Sequence, residues 1–192
     1  MTRITFADRF LSLSPSVIRA ASQRCGHSVT QRWKGTSMTE NAEYTESAGG
    51  APAPRPDKEL RALDRLTGSW RVTGGAEGTV VYRWMEGGFF LLQEVELEQY
   101  GQRVTGLEVI GRERPFGVEE PGEDIRSRFY DGRGNTFDYV YELDGDTLTI
   151  WAGEKGSPAY FRGTFDAAGD TLAGAWVYPG GGGYDSVMTR IG

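Results

Sequence analysis

From Gly68-Ser69-Trp70 to its carboxyl end, the chain alternates apolar and polar side chains with a period of two, and glycine-bearing turns interrupt that alternation at short intervals. Period two puts successive side chains on opposite faces of a pleated strand, so this region reads as a succession of strands. The turns are Gly74-Gly75, Glu86-Gly87-Gly88, Tyr100-Gly101, Asp131 to Asn135, Asp144-Gly145, Ala168-Gly169-Asp170 and Gly180 to Gly183. Glycine supplies the positive φ that tight hairpins require. The clearest two-residue hairpin is Asp144-Gly145, between Tyr139-Val140-Tyr141-Glu142-Leu143 and Leu148-Thr149-Ile150-Trp151.

Counting between turns predicts about ten strands, near residues 70–74, 78–85, 89–99, 103–113, 124–130, 136–143, 147–152, 158–165, 171–178 and 184–191. Short links force neighbouring strands to pair antiparallel. A long meander closes on itself because closure removes the exposed edges that would template aggregation. Ahead of the strands, Asp57 is placed to cap a short helix whose Leu60, Leu63 and Leu66 share one face, with Gly68 as the stop. The expected fold class is all-β: a single antiparallel closed β-barrel of about ten strands with one short amino-terminal helix.

Alternation assigns faces. Phe137, Tyr139, Tyr141 and Leu143 oppose Asp138 and Glu142, and Phe89, Leu91, Val95 and Leu97 oppose Glu94, Glu96 and Glu98. The apolar sets are expected inside and the acids in water. Trp176 shares a face with Tyr178, and Phe161 with Phe165, but both phases of these later strands carry apolar residues and either can point inward. Trp84, Tyr139, Tyr141, Trp151 and Trp176 are candidate lining residues for a flat ligand, or packing for a solid core. Arg126, Arg128 and Tyr130 alternate onto one face. Turned inward, they offer two cations and a phenol to an anionic or carbonyl-bearing ligand. The opposite phase buries Ile125, Ser127 and Phe129 instead, and the cost of burying two unpaired guanidiniums favours it.

Composition removes most chemistry. The strand region contains neither histidine nor cysteine, since His27 and Cys25 both lie upstream. Ser-His nucleophilic triads are thereby excluded, and so are zinc or transition-metal sites built on imidazole or thiolate. A hard-cation site of carboxylates is conceivable at Glu119-Glu120 with Glu123-Asp124, but charges beside Pro121-Gly122 read better as a solvated loop. Gly180 to Gly183 lacks the Lys-Ser or Lys-Thr and the following helix of a phosphate loop, so it reads as a hairpin tip. No metal or cofactor is expected. Residues 38–192 carry a formal charge of −11, which opposes nucleic-acid binding. No apolar stretch approaches the ~18 residues of a membrane span, and a single cysteine closes no intramolecular disulfide, which makes a reducing cytoplasm the expected compartment.

Residues 1–37 carry six Lys/Arg against the one acid Asp8. This Arg- and Ser-rich composition resembles that of an organelle transit peptide. The alternative, which the sequence favours, is that Met38 is the biological start. Residues 39–56, ending in Gly49-Gly50-Ala51-Pro52-Ala53-Pro54-Arg55-Pro56, have too little apolar matter to offset the entropy of ordering. The expected organisation is a disordered arm and linker over 1–56 and a barrel over 57–192.

Leu63-x-x-Leu66-x-Gly68-x-Trp70 resembles the opening signature of the lipocalin and fatty-acid-binding superfamily, the calycins. The resemblance implies that Trp70, set by Gly68, plugs the closed end of the barrel and stacks on a late arginine, here Arg190. Tyr82-Arg83-Trp84-Met85-Glu86-Gly87-Gly88-Phe89-Phe90-Leu91, with Phe161-Arg162-Gly163-Thr164-Phe165 and Thr171-Leu172-Ala173-Gly174, is similar to a bacterial family of lipocalin-like domains of unknown function. The likeness spans most of residues 58–192 and implies a cavity protein. Fatty-acid-binding barrels grip a carboxylate with Arg-x-Tyr on the last strands, and Arg190-Ile191-Gly192 lacks that tyrosine. Haem-binding relatives use an axial histidine, which this region also lacks, though tyrosine can ligate haem iron elsewhere.

The functional expectation is a cytoplasmic, monomeric or homodimeric protein that binds a small hydrophobic or aromatic molecule by apolar burial with one or two polar contacts. A rival is an isomerase- or cyclase-type enzyme with Tyr139, Tyr141 or Glu108 as proton donor or acceptor. A third is a structural or dimerisation module with a filled interior. The domain boundary has a direct check: a chain shortened to start at Met38 is expected to melt, by calorimetry, at the temperature of the full chain, and a marked drop would refute it.

Overall fold

The computed structural model describes residues 55–191. The expectations for the arm, the linker up to residue 54, Cys25, His27 and Met38 lie outside the described residues. Asp57 accepts a hydrogen bond from the Leu60 amide through its side chain (2.9 Å) and so caps helix α1 (Lys58–Ala62). A 3-10 turn (Leu63–Leu66) carries on directly from it. The three leucines of the stripe, Leu60, Leu63 and Leu66, are all buried, which is the amphipathic face meeting the core.

The remaining elements are strands: β1 (Gly68–Gly74), β2 (Glu77–Trp84), β3 (Phe90–Gln99), β4 (Gln102–Gly111), β5 (Ile125–Asp131), β6 (Thr136–Asp144), β7 (Thr147–Ala152), β8 (Tyr160–Phe165), β9 (Thr171–Val177) and β10 (Gly183–Ile191). Each pairs antiparallel with its sequence neighbour, and β1 pairs with β10, so that ten strands form a closed barrel. The all-β closed barrel expected from the turn spacing is the fold observed. One detail shifts: Asp144 pairs with Thr147, so the hairpin loop is Gly145-Asp146, one residue later than the sequence placed it.

The two ends of the cylinder differ. Gly68, Trp84, Ile125 and Arg190 lie at the end covered by α1 and the 3-10 turn, and Arg65 reaches from that turn to Gly145 O (3.1 Å) and Asp146 Oδ1 (2.8 Å) on the β6–β7 hairpin. Trp70 is wholly buried there, its indole N–H donating to Leu66 O (2.7 Å). The Arg190 guanidinium lies 4.2 Å from the centre of the Trp70 ring and donates to the carbonyls of Thr67, Arg65 and Gly169. The carbonyls of Arg65 and Thr67 belong to the 3-10 turn and its exit and that of Gly169 to the β8–β9 turn, so one guanidinium supplies donors to peptide groups of both segments. Gly68 itself has φ +110°, a conformation that disfavours a side chain, and a Cβ there would stand 2.9 Å from Arg190 Nη1. The far end, with the β3–β4, β5–β6, β7–β8 and β9–β10 connections, carries no helix among the described residues.

On the outer surface the strands carry cross-strand ion pairs: Arg83 with Glu94, Arg103 with Glu96, Arg128 with Asp138. Such exposed pairs contribute about 0.2–1 kcal/mol each. They hold the register by placing acids opposite bases, while the apolar phase supplies the core. Truncating the plug should therefore cost far more than breaking any one pair: Trp70→Ala is expected to lower unfolding free energy in urea by about 3–5 kcal/mol, and a loss below about 1 kcal/mol would show that Trp70 does not seal the barrel.

Candidate functional site

Inward positions near α1 include the most fully buried side chains of the barrel. Leu63, Leu66, Trp70, Leu91, Ile110, Leu148 and Leu172 are each at most 1% exposed. Inward positions toward the far end are different. Val95 and Leu97 on β3, Val104 on β4, Phe137 on β6 and Trp176 on β9 pack against the core cluster yet are only partly buried. Trp84 on β2 and Leu143 on β6, at the α1 end, are partly buried as well, so partial exposure marks both rims; the two ends differ in that α1 and the 3-10 turn cover one, while no helix among the described residues covers the other.

Between these zones lies a polar layer. Glu108 on β4 faces inward and is 4% exposed. Its Oε1 accepts hydrogen bonds from Ser127 Oγ on β5 and from Tyr141 Oη on β6 (3.0 Å). Gln93 on β3, directly paired with Glu108, donates from Nε2 to Tyr82 Oη on β2 (2.7 Å). Four adjacent strand pairs thus bring Tyr82, Gln93, Glu108, Ser127 and Tyr141 to one level. Tyr139, two residues nearer the open end, lies against Trp176 with ring centres 6.1 Å apart. Trp176 in turn meets Phe161 (5.6 Å) and stacks on Tyr178.

Burial governs the titration of this layer. Desolvation, opposed only in part by the Ser127 and Tyr141 hydroxyls, pushes the Glu108 carboxyl from an ordinary 4.5 up to about 7. Burial, and then the Glu108 charge, hold the Tyr82, Tyr139 and Tyr141 phenols well above their usual range. At neutral pH the layer therefore presents one carboxyl divided between its two protonation states, ringed by phenols that stay protonated.

The candidate residues separate cleanly by face. Tyr139 and Tyr141 face inward as expected, and Trp176, whose phase the sequence left open, faces inward too. Trp84 also faces inward but at the stoppered end, where its indole N–H donates to Asp64 Oδ1 (2.8 Å) beneath Arg61. For four others an inward position is corrected. Arg126, Arg128 and Tyr130 lie on the outer face, with Arg126 bound to Glu154 and Asp124, Arg128 bound to Asp138, and Tyr130 48% exposed. The physical reason is desolvation: water and carboxylates stabilise the guanidiniums, while Ile125, Ser127 and Phe129 take the inside. Trp151 is also outside, buried against the barrel wall opposite Val140 with the Lys155 ammonium over its ring (5.6 Å). Around Arg126, Arg128 and Tyr130 the outer wall has a depression of about 140 Å³ that includes Phe90 and Val109. It is open and below the ~300 Å³ of ordinary ligand sites, and its guanidiniums already have partners.

Glu119, Glu120, Glu123 and Asp124 form an open loop between β4 and β5, and among the described residues no group of three or more acids, histidines or cysteines is placed to hold a metal. The glycine run at 180–182 connects β9 to β10 with no helix after it. No helix among the described residues is long and apolar enough to cross a membrane.

Sequence reasoning named Glu108 only as a possible proton carrier and passed over Gln93 and Tyr82. The available signal was a polar residue in the apolar phase: Gln93 between Leu91 and Val95, and Glu108 between Val104 and Ile110. No protein-family profile and no curated protein matches the chain.

A raised carboxyl pKa makes a signed prediction. Below pH 4.5 Glu108 is protonated in both folded and unfolded chains. As pH rises to about 7 only the unfolded chain releases the proton, so folding loses stability across that window. Glu108→Gln removes this loss while keeping an acceptor for Ser127 and Tyr141. The stability of the Gln variant relative to the parent is expected to grow by about 2–3 kcal/mol between pH 5 and pH 8 in urea unfolding, and a pH-independent difference would contradict the burial of an ionisable Glu108.

Proposed function

We propose that this chain binds one small hydrophobic or aromatic molecule inside its barrel, and that its function is sequestration or carriage of that molecule. The observation that carries the reading is the partial exposure of inward-facing Val95, Leu97, Val104, Phe137 and Trp176 at the end that no helix covers among the described residues. Apolar walls with a few convergent polar groups are the usual make-up of small-molecule sites. The likeness of Leu63 to Trp70 to the calycin opening signature, and the Arg190 stack on Trp70 that the likeness implies, support the same reading. A reducing cytoplasm remains the proposed compartment, on the strength of the single cysteine.

A catalytic reading is favoured by one specific observation: a carboxyl near pH 7 hydrogen-bonded to a phenol can both take and return a proton at neutral pH. In that reading Glu108 would be the acid–base group and the apolar bore a desolvated vessel. A compound extracted from protein purified from its own host separates the two. Turnover of that compound, lost in Tyr141→Phe while binding survives, would make the protein an enzyme.

Occupancy of the bore is tested with the neutral apolar fluorophore Nile red. It is expected to bind one per chain and to quench tryptophan emission, and Val95→Trp, which fills the hollow from β3, is expected to weaken it by about tenfold or more. An unchanged affinity would place the dye outside the barrel, and absence of binding to the parent protein would refute a ligand-accessible interior.

A further inference from the structure

Among the described residues the hydroxyls of Ser127 and Tyr141 both donate to Glu108 Oε1, and no donor meets Oε2. Among the described residues no positive charge stands nearby to balance the carboxylate. The inward positions of the ten strands hold no lysine and a single arginine, Arg190, which is committed to Trp70 and three carbonyls at the stoppered end. The groups that face Glu108 are Tyr82 from β2, Gln93 from β3, Ser127 from β5, and Tyr139 and Tyr141 from β6. All are neutral, and three are aromatic rings.

A buried carboxylate lacking a cation is costly, and the cost falls when a cation with N–H donors arrives. Phenol and indole faces attract the same kind of charge, and an incoming carboxylate or phosphate would be repelled. We infer that the barrel selects an organic cation, a primary or secondary ammonium on an apolar or aromatic frame, which donates to Glu108 Oε2 while its frame lies against Tyr139, Phe137 and Trp176. This inference rests on the proposal that the bore takes a small molecule. It adds the charge and hydrogen-bonding character of that molecule. Binding is coupled to ionisation: the fraction of molecules with a protonated Glu108 gives up its proton to solvent as the ammonium enters, so affinity rises with pH through the neutral range until the amine itself is neutralised.

The test is calorimetric titration of the full chain with three probes of similar shape: 2-phenylethylamine, 2-phenylethanol and 3-phenylpropionate. The amine is expected to bind about tenfold or more tightly than either of the others. Heats measured at pH 7 in phosphate and in Tris are expected to differ by the release of about half a proton per amine bound, given a carboxyl near 7. Glu108→Gln is expected to abolish the preference for the amine and leave the affinity for the alcohol. If that variant fails to fold, the two-buffer comparison on the unaltered chain decides alone. Equal or tighter binding of the alcohol or the carboxylate, or amine binding without proton release, would overturn the cation assignment. If Nile red still binds in either case, only this inference falls. If Nile red and all three probes fail to bind, the small-molecule reading falls with it.

Discussion

The antiparallel pairing of β1 with β10 is the constraint on which the rest depends. It joins the start of the strand region to its end, from Ser69 opposite Ile191 to Gly74 opposite Ser186, and turns a meander with two exposed edges into a cylinder with none. The same pairing sets Trp70 directly against Arg190. Arg190 then holds the carbonyls of Thr67, Arg65 and Gly169, three groups on the 3-10 turn, its exit and the β8–β9 turn, with one planar fork of donors. Closure and stoppering are therefore one event. Among the described residues the opposite end has no such cover.

That asymmetry gives the polar layer its chemical meaning. Were both ends packed, Glu108 would be a core defect. A raised carboxyl from 4.5 to about 7 costs roughly 3 kcal/mol above neutrality, a large share of the ~5–15 kcal/mol margin of a typical domain. A glutamine would offer Ser127 and Tyr141 the same acceptor without the cost. The carboxyl stands instead between the plugged end and the end that no helix covers among the described residues, with one oxygen held and, among those residues, no donor on the other. Buried groups with strongly perturbed ionisation concentrate where proteins bind or react, and at this level the described interior carries a polar side chain on each of five neighbouring strands, β2 to β6.

The fold was legible because its signals are local. Glycine turns cut the chain into segments within two residues of most observed strands, and the Asp57 cap with the stripe Leu60, Leu63 and Leu66 marked the helix. Faces could be read where one phase was clearly apolar, as in β6, with Tyr139 and Tyr141 inward and Asp138 outward. The site was only half legible. Trp151 misled because hydrophobicity does not distinguish burial inside the barrel from burial against its outer wall, where Val140 and the Lys155 side chain cover it. Arg126, Arg128 and Tyr130 show the converse: desolvation chose the phase, and that cost was computable from the sequence. Gln93 and Glu108 were visible as breaks in an apolar phase. Their meeting with Tyr82, Ser127 and Tyr141 depends on the register of four strand pairs, which no local pattern specifies.

The central claim, a cylinder packed at one end and hollow at the other, is most directly tested by a crystal structure under xenon pressure, since xenon occupies apolar voids of sufficient size. The account predicts xenon inside the barrel among Val95, Val104, Phe137 and Trp176, and none between Trp70 and Leu148. Side chains meeting across the far end, with no xenon within the strands, would contradict it.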